Sequence, residues 1–383
     1  MPAPVYLDYN ATTPVDARVL DAMLPYFTQK FGNAASKTHT FGWVAEQAVD
    51  TARQQVAALI GAEPSEIIFT SGATEAINLA LKGVFEAYRT KGNHIITAAT
   101  EHKAVLDCCK KLEQLGAQIT YLPVNSEGLI SLAQLQQAIT PQTILISVML
   151  ANNETGVIQP VDDIALIAHA RNIPFMSDAT QAAGKIKVNV NESHIDLMPL
   201  SAHKLYGPKG AGALYVRRKN PRVSLIAQMD GGGHERNLRS GTLNVPGIAG
   251  LGKACAIATE ELTADLQRIT HLRDTLQAAL LQHYPQARIN GSLTHRLPNT
   301  LNIAFPGIDS TALLKRLATT VAAASGSACT SAVPEPSHVL KALGLDDATA
   351  HSSLRFSLGK PTTAPEIQLA IQHITAAVTQ LKT

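Results

Sequence analysis

An α/β fold, in which a larger domain built on a mostly parallel sheet carries a smaller α+β domain, is predicted by three observations. Short apolar runs alternate with helix-like segments from residue 67 to residue 216. Leucine and isoleucine then recur every three or four residues over 262–280, and a second, shorter set of strand and helix patterns follows.

The first element in this scheme is a helix over 42–60, with Val44, Ala45, Ala48, Val49, Ala52, Val56 and Leu59 on one side and Gly61 placed to end it. Strands are predicted at 67–69, 94–96, 118–124, 144–149, 173–176 and 213–216, each about three to seven residues long. The periodic run over 262–280 predicts a helix that links the two domains. Beyond it come a strand at 300–305, a helix at 310–317, a serine- and glycine-rich loop at 325–331, a strand at 354–358 and an amphipathic helix at 364–381. The large domain is expected over 17–255, and the small one over 1–16 with 256–383.

With 383 residues, 45% of them hydrophobic and 16% charged, the chain can bury two cores. A net charge of +2 gives no pull toward nucleic acid or anionic membrane, so small-molecule chemistry is expected. The basic cluster Arg217-Arg218-Lys219 with Arg222 reads as solvated charge around a turn, with contact to a sulfur acceptor or an RNA as the alternative. The N-terminus shows no export pattern, and the apolar run at 144–151 is too short to span a bilayer. Four cysteines, two of them adjacent, make no disulfide framework or zinc spacing and suit a reducing cytoplasm.

In open parallel sheets ligands collect beyond the carboxyl ends of the strands. Unusual polar residues cluster at four such ends. Phe69-Thr70-Ser71-Gly72-Ala73-Thr74-Glu75 leaves a strand through glycine and enters a helix, offering backbone N–H groups and the Thr74 hydroxyl to a phosphate; the plainer reading is a helix cap. Asp178, in Asp178-Ala179-Thr180-Gln181, could hold a protonated pyridine nitrogen, with Gln181 reaching a neighbouring phenolic oxygen, as a pyridoxal-phosphate (PLP) site requires; a cap is again the alternative. Lys204, in Ser201-Ala202-His203-Lys204 after the apolar residues 197–200, suits a Schiff-base amine better than a surface charge. His102 ends another strand and could stack on the ring and exchange protons, or be a satisfied polar residue.

Together these segments resemble the PLP-dependent cysteine desulfurases of the class V aminotransferase superfamily, in the housekeeping and nitrogen-fixation group that feeds iron–sulfur cluster assembly. The resemblance runs almost end to end. It is carried by Tyr6-Leu7-Asp8-Tyr9-Asn10-Ala11-Thr12-Thr13-Pro14, by residues 70–75, Glu101-His102, Ala151-Asn152-Asn153-Glu154-Thr155-Gly156, Asp178-Ala179-Thr180-Gln181, residues 201–204, Arg239-Ser240-Gly241-Thr242, Ser325-Gly326-Ser327-Ala328-Cys329-Thr330-Ser331 and Arg355-Phe356-Ser357-Leu358. It implies the PLP-dependent aminotransferase-like architecture known as fold type I.

Position by position, the resemblance implies Lys204 as the Schiff-base lysine, Asp178 on the pyridine nitrogen, Gln181 on the ring oxygen and His102 stacked on the ring. The phosphate would be held by the Ala73 backbone, Thr74, Ser201 and His203, joined by Thr242 from the second subunit of a homodimer. Asn153 and Arg355 would bind the carboxylate of L-cysteine, and Cys329 would receive the sulfur as a persulfide and pass it to an acceptor protein, an iron–sulfur scaffold or another carrier. Ala34, Ser177 and Ala324 depart from the usual residues of the group without removing a catalytic group. The chain ends at Thr383, where many members continue with a tail that docks the scaffold.

The chemistry matches this set. A freed lysine amine can remove the Cα proton, an aspartate can keep a pyridine ring protonated, and the sulfur acceptor must be a thiolate. Cys329 alone among the four cysteines lies in a serine- and glycine-rich loop, while Cys108, Cys109 and Cys255 fall in helical runs and read as small buried hydrophobes. Two alternatives share much of the pattern: another PLP enzyme of the same fold, such as an aminotransferase or selenocysteine lyase, and a non-catalytic sulfur-relay scaffold. The Cys329 loop argues against transamination, and retention of the whole cofactor set argues against the scaffold.

Overall fold

The computed structural model describes residues 4–326 and 336–382. Cys329, with the 327–331 part of its loop, lies outside the described residues. Among those described, a seven-stranded sheet runs in the order Ile67–Thr70, Gly212–Val216, Leu197–Ser201, Phe175–Met176, Thr143–Ser147, His94–Ala98, Gln118–Leu122. Gly212–Val216 is antiparallel to both neighbours and every other pairing is parallel. The sheet is therefore α/β and mostly parallel, as the sequence predicts. Because only one strand is reversed, the carboxyl ends of the other six share one edge.

Both faces of this sheet are buried, and side chains alternate between two apolar clusters. Ile67, Phe69, Ile96, Ala98 and Ile146 join one cluster with the helices Thr40–Ile60 and Val161–His169. Ile68, Ile95, Leu145 and Leu214 join the other with the helices Ala73–Ala87 and Lys103–Gln114. The first of these helices ends where the sequence places its stop: Gly61 has φ 69°, and a Cβ there would lie 2.7 Å from the Asn189 side chain.

The linking helix is longer than its leucine pattern suggests. It spans Val245–His283, 39 residues, and starts at an Asn244 cap whose Oδ1 accepts from the Gly247 N–H at 3.1 Å. Glycines mask its first turns in the sequence because they serve packing rather than propensity. A Cβ on Gly250 would sit 2.6 Å from Met23 Sδ, and one on Gly252 would sit 2.5 Å from Ala52 Cα in the Thr40–Ile60 helix.

A third apolar cluster gathers Leu7, Leu276, Leu280, Ile303, Phe305, Phe356 and Ile374. It is built on Thr300–Ala304, antiparallel to both Ser353–Ser357 and Arg288–Ile289, and on Val5–Tyr6, parallel to Val321–Ala322. The helices Ser310–Leu317 and Ala364–Lys382 cover it. The N-terminal chain leaves this cluster with the Asn10 N–H donating to Ser357 Oγ at 2.9 Å, then crosses to the large sheet, where the Thr13 N–H donates to the His203 carbonyl at 3.0 Å.

One expectation is corrected. Arg217 is not a solvated charge: it is buried, with Nε 2.9 Å from Asp196 Oδ1 and Nη2 donating to the carbonyls of Val190 and Ile195. No helix among the described residues is long and apolar enough to cross a membrane.

Candidate active site

A cavity of about 730 Å³ opens at the shared carboxyl edge of the sheet. Its lining draws on every strand end that the sequence singles out: Ala73 and Thr74, His102, Asn153, Asp178 and Gln181, then Ser201, His203 and Lys204. Arg355 reaches it from the smaller sheet. Of the residues named from the sequence and described here, Thr242 alone is not in the lining; it lies exposed on the same chain. Its segment is tied to the cavity wall by Arg239, whose Nε is 2.8 Å from Glu75 Oε1.

Lys204 ends the short 3-10 turn Ala202–Lys204 that directly follows Leu197–Ser201. The strand fixes its stem, and its Nζ donates to the carbonyls of Asn10 at 2.5 Å and Ala11 at 2.7 Å. Burial, reinforced by the Arg355 charge and opposed by Asp8 and Asp178, lowers this amine to about 8. A useful share of it is a free nucleophile near neutral pH.

Asp178, read as a cap or a ligand, and His102, read as a ligand or a satisfied polar residue, both cap turns and both line the cavity. Asp178 Oδ1 accepts from the Thr180 N–H at 2.9 Å, closing the turn after Phe175–Met176, and the same carboxyl group lines the cavity. His102 caps the helix Lys103–Gln114, its Nδ1 accepting from the Ala104 N–H at 3.1 Å. That bond places the proton of the neutral ring on Nε2. Burial lowers the His102 pKa, so the ring is neutral around pH 7. Beside it, burial holds the fully enclosed Glu101 carboxyl well above the usual carboxylate range.

Arg355 is oriented from two sides. Nη2 donates to Asp8 Oδ1 at 2.6 Å and Nη1 to the Asn153 carbonyl at 3.0 Å, while Nε is buried without a partner. Gln181 Nε2 donates to the Asn10 carbonyl at 2.9 Å. Asn10 is the hub missed in the sequence: its side chain also donates to Thr300 Oγ1 and accepts from Asn299 and Lys185. It lies in the N-terminal motif that carries the family resemblance, but nothing local marks it as facing a cavity. Lys185 gives less signal still, a single lysine in a turn.

The phosphate end has its own logic. The helix Ala73–Ala87 begins at the cavity, and its first N–H groups lack intrahelical partners. Gly72 leaves the approach open, and a Cβ on the facing Gly212 would lie 2.5 Å from Gly72 Cα, so the two backbones touch. Burial, then the charges of Lys204 and Lys209, lowers His203 to about 4. Around pH 7 its ring is therefore neutral, with one ring N–H to donate. Thr180 Oγ1, in the lining, is buried without a partner. An amine at the foot, an acid deep in the wall, a neutral imidazole and a helix N-terminus fit PLP in charge and in donor type.

Fold and site together define an enzyme built to hold a phosphorylated aldehyde cofactor on a lysine. The chain belongs to the aminotransferase class-V family, whose model matches residues 5–369. It is 53% identical over 382 residues to the cysteine desulfurase IscS of Anaeromyxobacter sp. (strain Fw109-5), covering 100% of this chain and 94% of that protein. It is 54% identical over 379 residues to the cysteine desulfurase IscS of Neisseria meningitidis serogroup C, covering 99% and 93%. Among solved structures it resembles a NifS-like protein with a TM-score of 0.92 and 39% identity, over 99% of this chain and 100% of that one. It also resembles SspA in complex with cysteine, with a TM-score of 0.81 and 38% identity, over 92% and 98%.

Proposed function

We propose that the protein is a PLP-dependent cysteine desulfurase that converts L-cysteine to L-alanine and takes the sulfur onto Cys329 as a persulfide. The observation that carries this reading is the Lys204 amine, lowered to about 8 and held at the strand end in a cavity shared with Asp178, neutral His102 and Arg355. Full-length identity of 53% to proteins named cysteine desulfurase fixes the reaction among those such a site could run.

PLP, when bound, supplies the electron sink that lets bonds at the substrate Cα and Cβ break near neutral pH. Lys204 would hold it, with Asp178 on its ring nitrogen, Gln181 on its ring oxygen and His102 beside its ring. The Ala73 backbone, Thr74, Ser201 and His203 would hold its phosphate. Arg355 binds the substrate carboxylate through the guanidinium N–H groups left over from Asp8 and the Asn153 carbonyl, and Asn153 adds its side-chain amide. Lys204 Nζ accepts the Cα proton, which its lowered pKa suits. His102 exchanges a proton through Nε2, the nitrogen left free by its cap.

We infer a homodimer, with Thr242 completing the phosphate site of the partner subunit. Its exposed position outside its own chain's cavity supports this, as does an apolar surface on which Phe27, Phe31, Phe41 and Trp43 are 58%, 64%, 53% and 52% exposed. We also infer two domains, 17–255 and 1–16 with 256–383, from the separate apolar cluster around Leu7, Leu280 and Phe356. The sulfur acceptor is a scaffold for iron–sulfur clusters or another carrier protein, and the setting is the cytoplasm, which suits the free, buried Cys108, Cys109 and Cys255.

Incubation of the purified protein with PLP and L-cysteine, followed by assay of alanine and of protein-bound sulfur, tests the reaction. Alanine and persulfide should appear in equal amounts in the first turnover. Pyruvate, or alanine formed without any persulfide on the protein, would reject it.

A further inference from the structure

Lys185 lies four residues after Gln181 and directly follows Gly184, whose φ is 72° and whose Cβ would meet Leu205 Cδ2 at 2.4 Å. The turn closes so tightly against the segment bearing Lys204 that only glycine fits its corner. Lys185 Nζ donates to Gln181 Oε1 at 2.6 Å and to Asn10 Oδ1 at 3.3 Å. Burial, with the Lys204 and Arg355 charges adding to it, holds this amine well below the ordinary lysine range.

The two ends of the Gln181 amide are alike in shape and opposite in chemistry. The Asn10 carbonyl oxygen can only accept, and it takes an N–H from Gln181 Nε2 at 2.9 Å. Lys185 offers N–H groups whether it is ammonium or amine, and it takes Oε1. A flipped amide would set oxygen against oxygen at the Asn10 carbonyl, which has no hydrogen to offer, and would break the short N–H···O bond that Lys185 donates, leaving buried groups unsatisfied. Nε2 carries a second hydrogen, and Gln181 lines the cavity.

We propose that Lys185 is a positioning residue: by donating to Gln181 Oε1 it holds the Gln181 amide with its NH2 end toward the cavity, where the ring oxygen of bound PLP receives the second N–H. The inference rests on Gln181 being the partner of that oxygen. Lys185 touches neither cofactor nor substrate in this arrangement and reaches the ring oxygen only through Gln181. It also braces Asn10, the carbonyl of which anchors Lys204, so one buried amine orders two neighbours of the cofactor.

The test compares Lys185→Met, Gln181→Leu and the double variant as PLP-loaded proteins, reading the pH midpoint of the visible absorbance band and the dissociation constant for PLP. A ring oxygen that loses its N–H donor holds its shared proton more tightly, so the midpoint should rise in both single variants. PLP should bind about tenfold more weakly in each, the size of one hydrogen bond in a charged site. The double variant should be no worse than Gln181→Leu, because the two residues act in series. Lys185→Gln, which keeps an N–H donor one atom short, should lie nearer to wild type, and circular dichroism verifies that each variant is folded. A shift in Gln181→Leu with none in Lys185→Met, or fully additive effects in the double variant, would overturn the role of Lys185. No change in Gln181→Leu would instead remove Gln181 from the ring oxygen, and the proposal with it.

Discussion

The amine of Lys204 should titrate far below an ordinary lysine in the cofactor-free protein. Burial is the main cause, the Arg355 guanidinium adds to it, and Asp8 and Asp178 oppose it, for a value of about 8 against 10.5. Only the unprotonated amine attacks an aldehyde or an anhydride, so reactivity is lost as pH falls through about 8 and is near its plateau above it. At pH 7 about one amine in ten is free, against about one in three thousand for an unperturbed lysine, an advantage of about 300-fold. Competitive acetylation against a free amino acid in the same tube cancels hydrolysis of the reagent, and mass spectrometry reads the Lys204 peptide across the pH range. The midpoint should lie near 8. Arg355→Leu removes a like charge and releases the Asp8 carboxylate, both of which favour the ammonium, so its midpoint should move up. Asp8→Asn should move it down for the converse reason. A wild-type midpoint near 10.5, or shifts of the opposite sign in the two variants, would refute the electrostatic account of the site.

Three further outcomes follow from the same geometry. Lys204→Ala should lose the visible band of the PLP-loaded protein and alanine formation together; retention of either removes Lys204 from its role. Arg355→Ala should lower kcat/KM for L-cysteine by about 2 to 4 kcal/mol, about 30- to 900-fold, because a charged partner is lost from a desolvated site. Most of that loss should fall on KM, since the carboxylate is present before and during reaction, and an unchanged kcat/KM rejects the assignment. Sedimentation at assay concentrations should show a dimer, and an active monomer would end the reading of Thr242 as a shared residue.

What was legible in the sequence is what local pattern encodes. Continuous apolar runs such as Ile67-Ile68-Phe69 mark strands buried on both faces, and polar residues just past those runs mark the edge where a ligand would sit. Where a residue serves a distant neighbour, local pattern misleads. Gly250 and Gly252 look like breaks in a helix, yet they are the places where Val245–His283 meets Met23 and Ala52. Arg217 looks like one of a run of surface charges, yet Asp196, from the start of the adjacent strand segment, draws it inside. Asn10 and Lys185 have no periodicity to betray them, because their role depends on chain crossings that bring residues 10, 181, 204 and 299 together. The alternatives at Asp178, cap or ligand, could not be separated from sequence because they do not exclude each other: the side chain caps a turn and lines the cavity at once, and His102 is placed in the same way.

The proposed role of Cys329 as sulfur acceptor is supported by the electrostatics of the other three cysteines. Burial pushes the Cys108 thiol up to about 11 and the Cys255 thiol up to about 12, and Cys109, beside Cys108 and Glu101, is raised well above the usual thiol range. At pH 7.5 fewer than about one in three thousand of these thiols is a thiolate, against about one in ten for an ordinary cysteine, and the thiolate is the nucleophile. None of the three lines the cavity. Cys329 is the remaining cysteine of the chain. Brief exposure of the PLP-loaded protein to L-cysteine should therefore add the mass of one sulfur atom to the Cys329 peptide and leave the other cysteine peptides unchanged. Cys329→Ser should still bind L-cysteine, seen as a change in the visible band, because Lys204, Arg355 and the cofactor's other neighbours are intact; alanine release should fall, because no thiolate is left to take the sulfur. Persulfide found at Cys108, Cys109 or Cys255 would show that burial does not silence them, and wild-type alanine release from Cys329→Ser would show that sulfur leaves without a protein thiol.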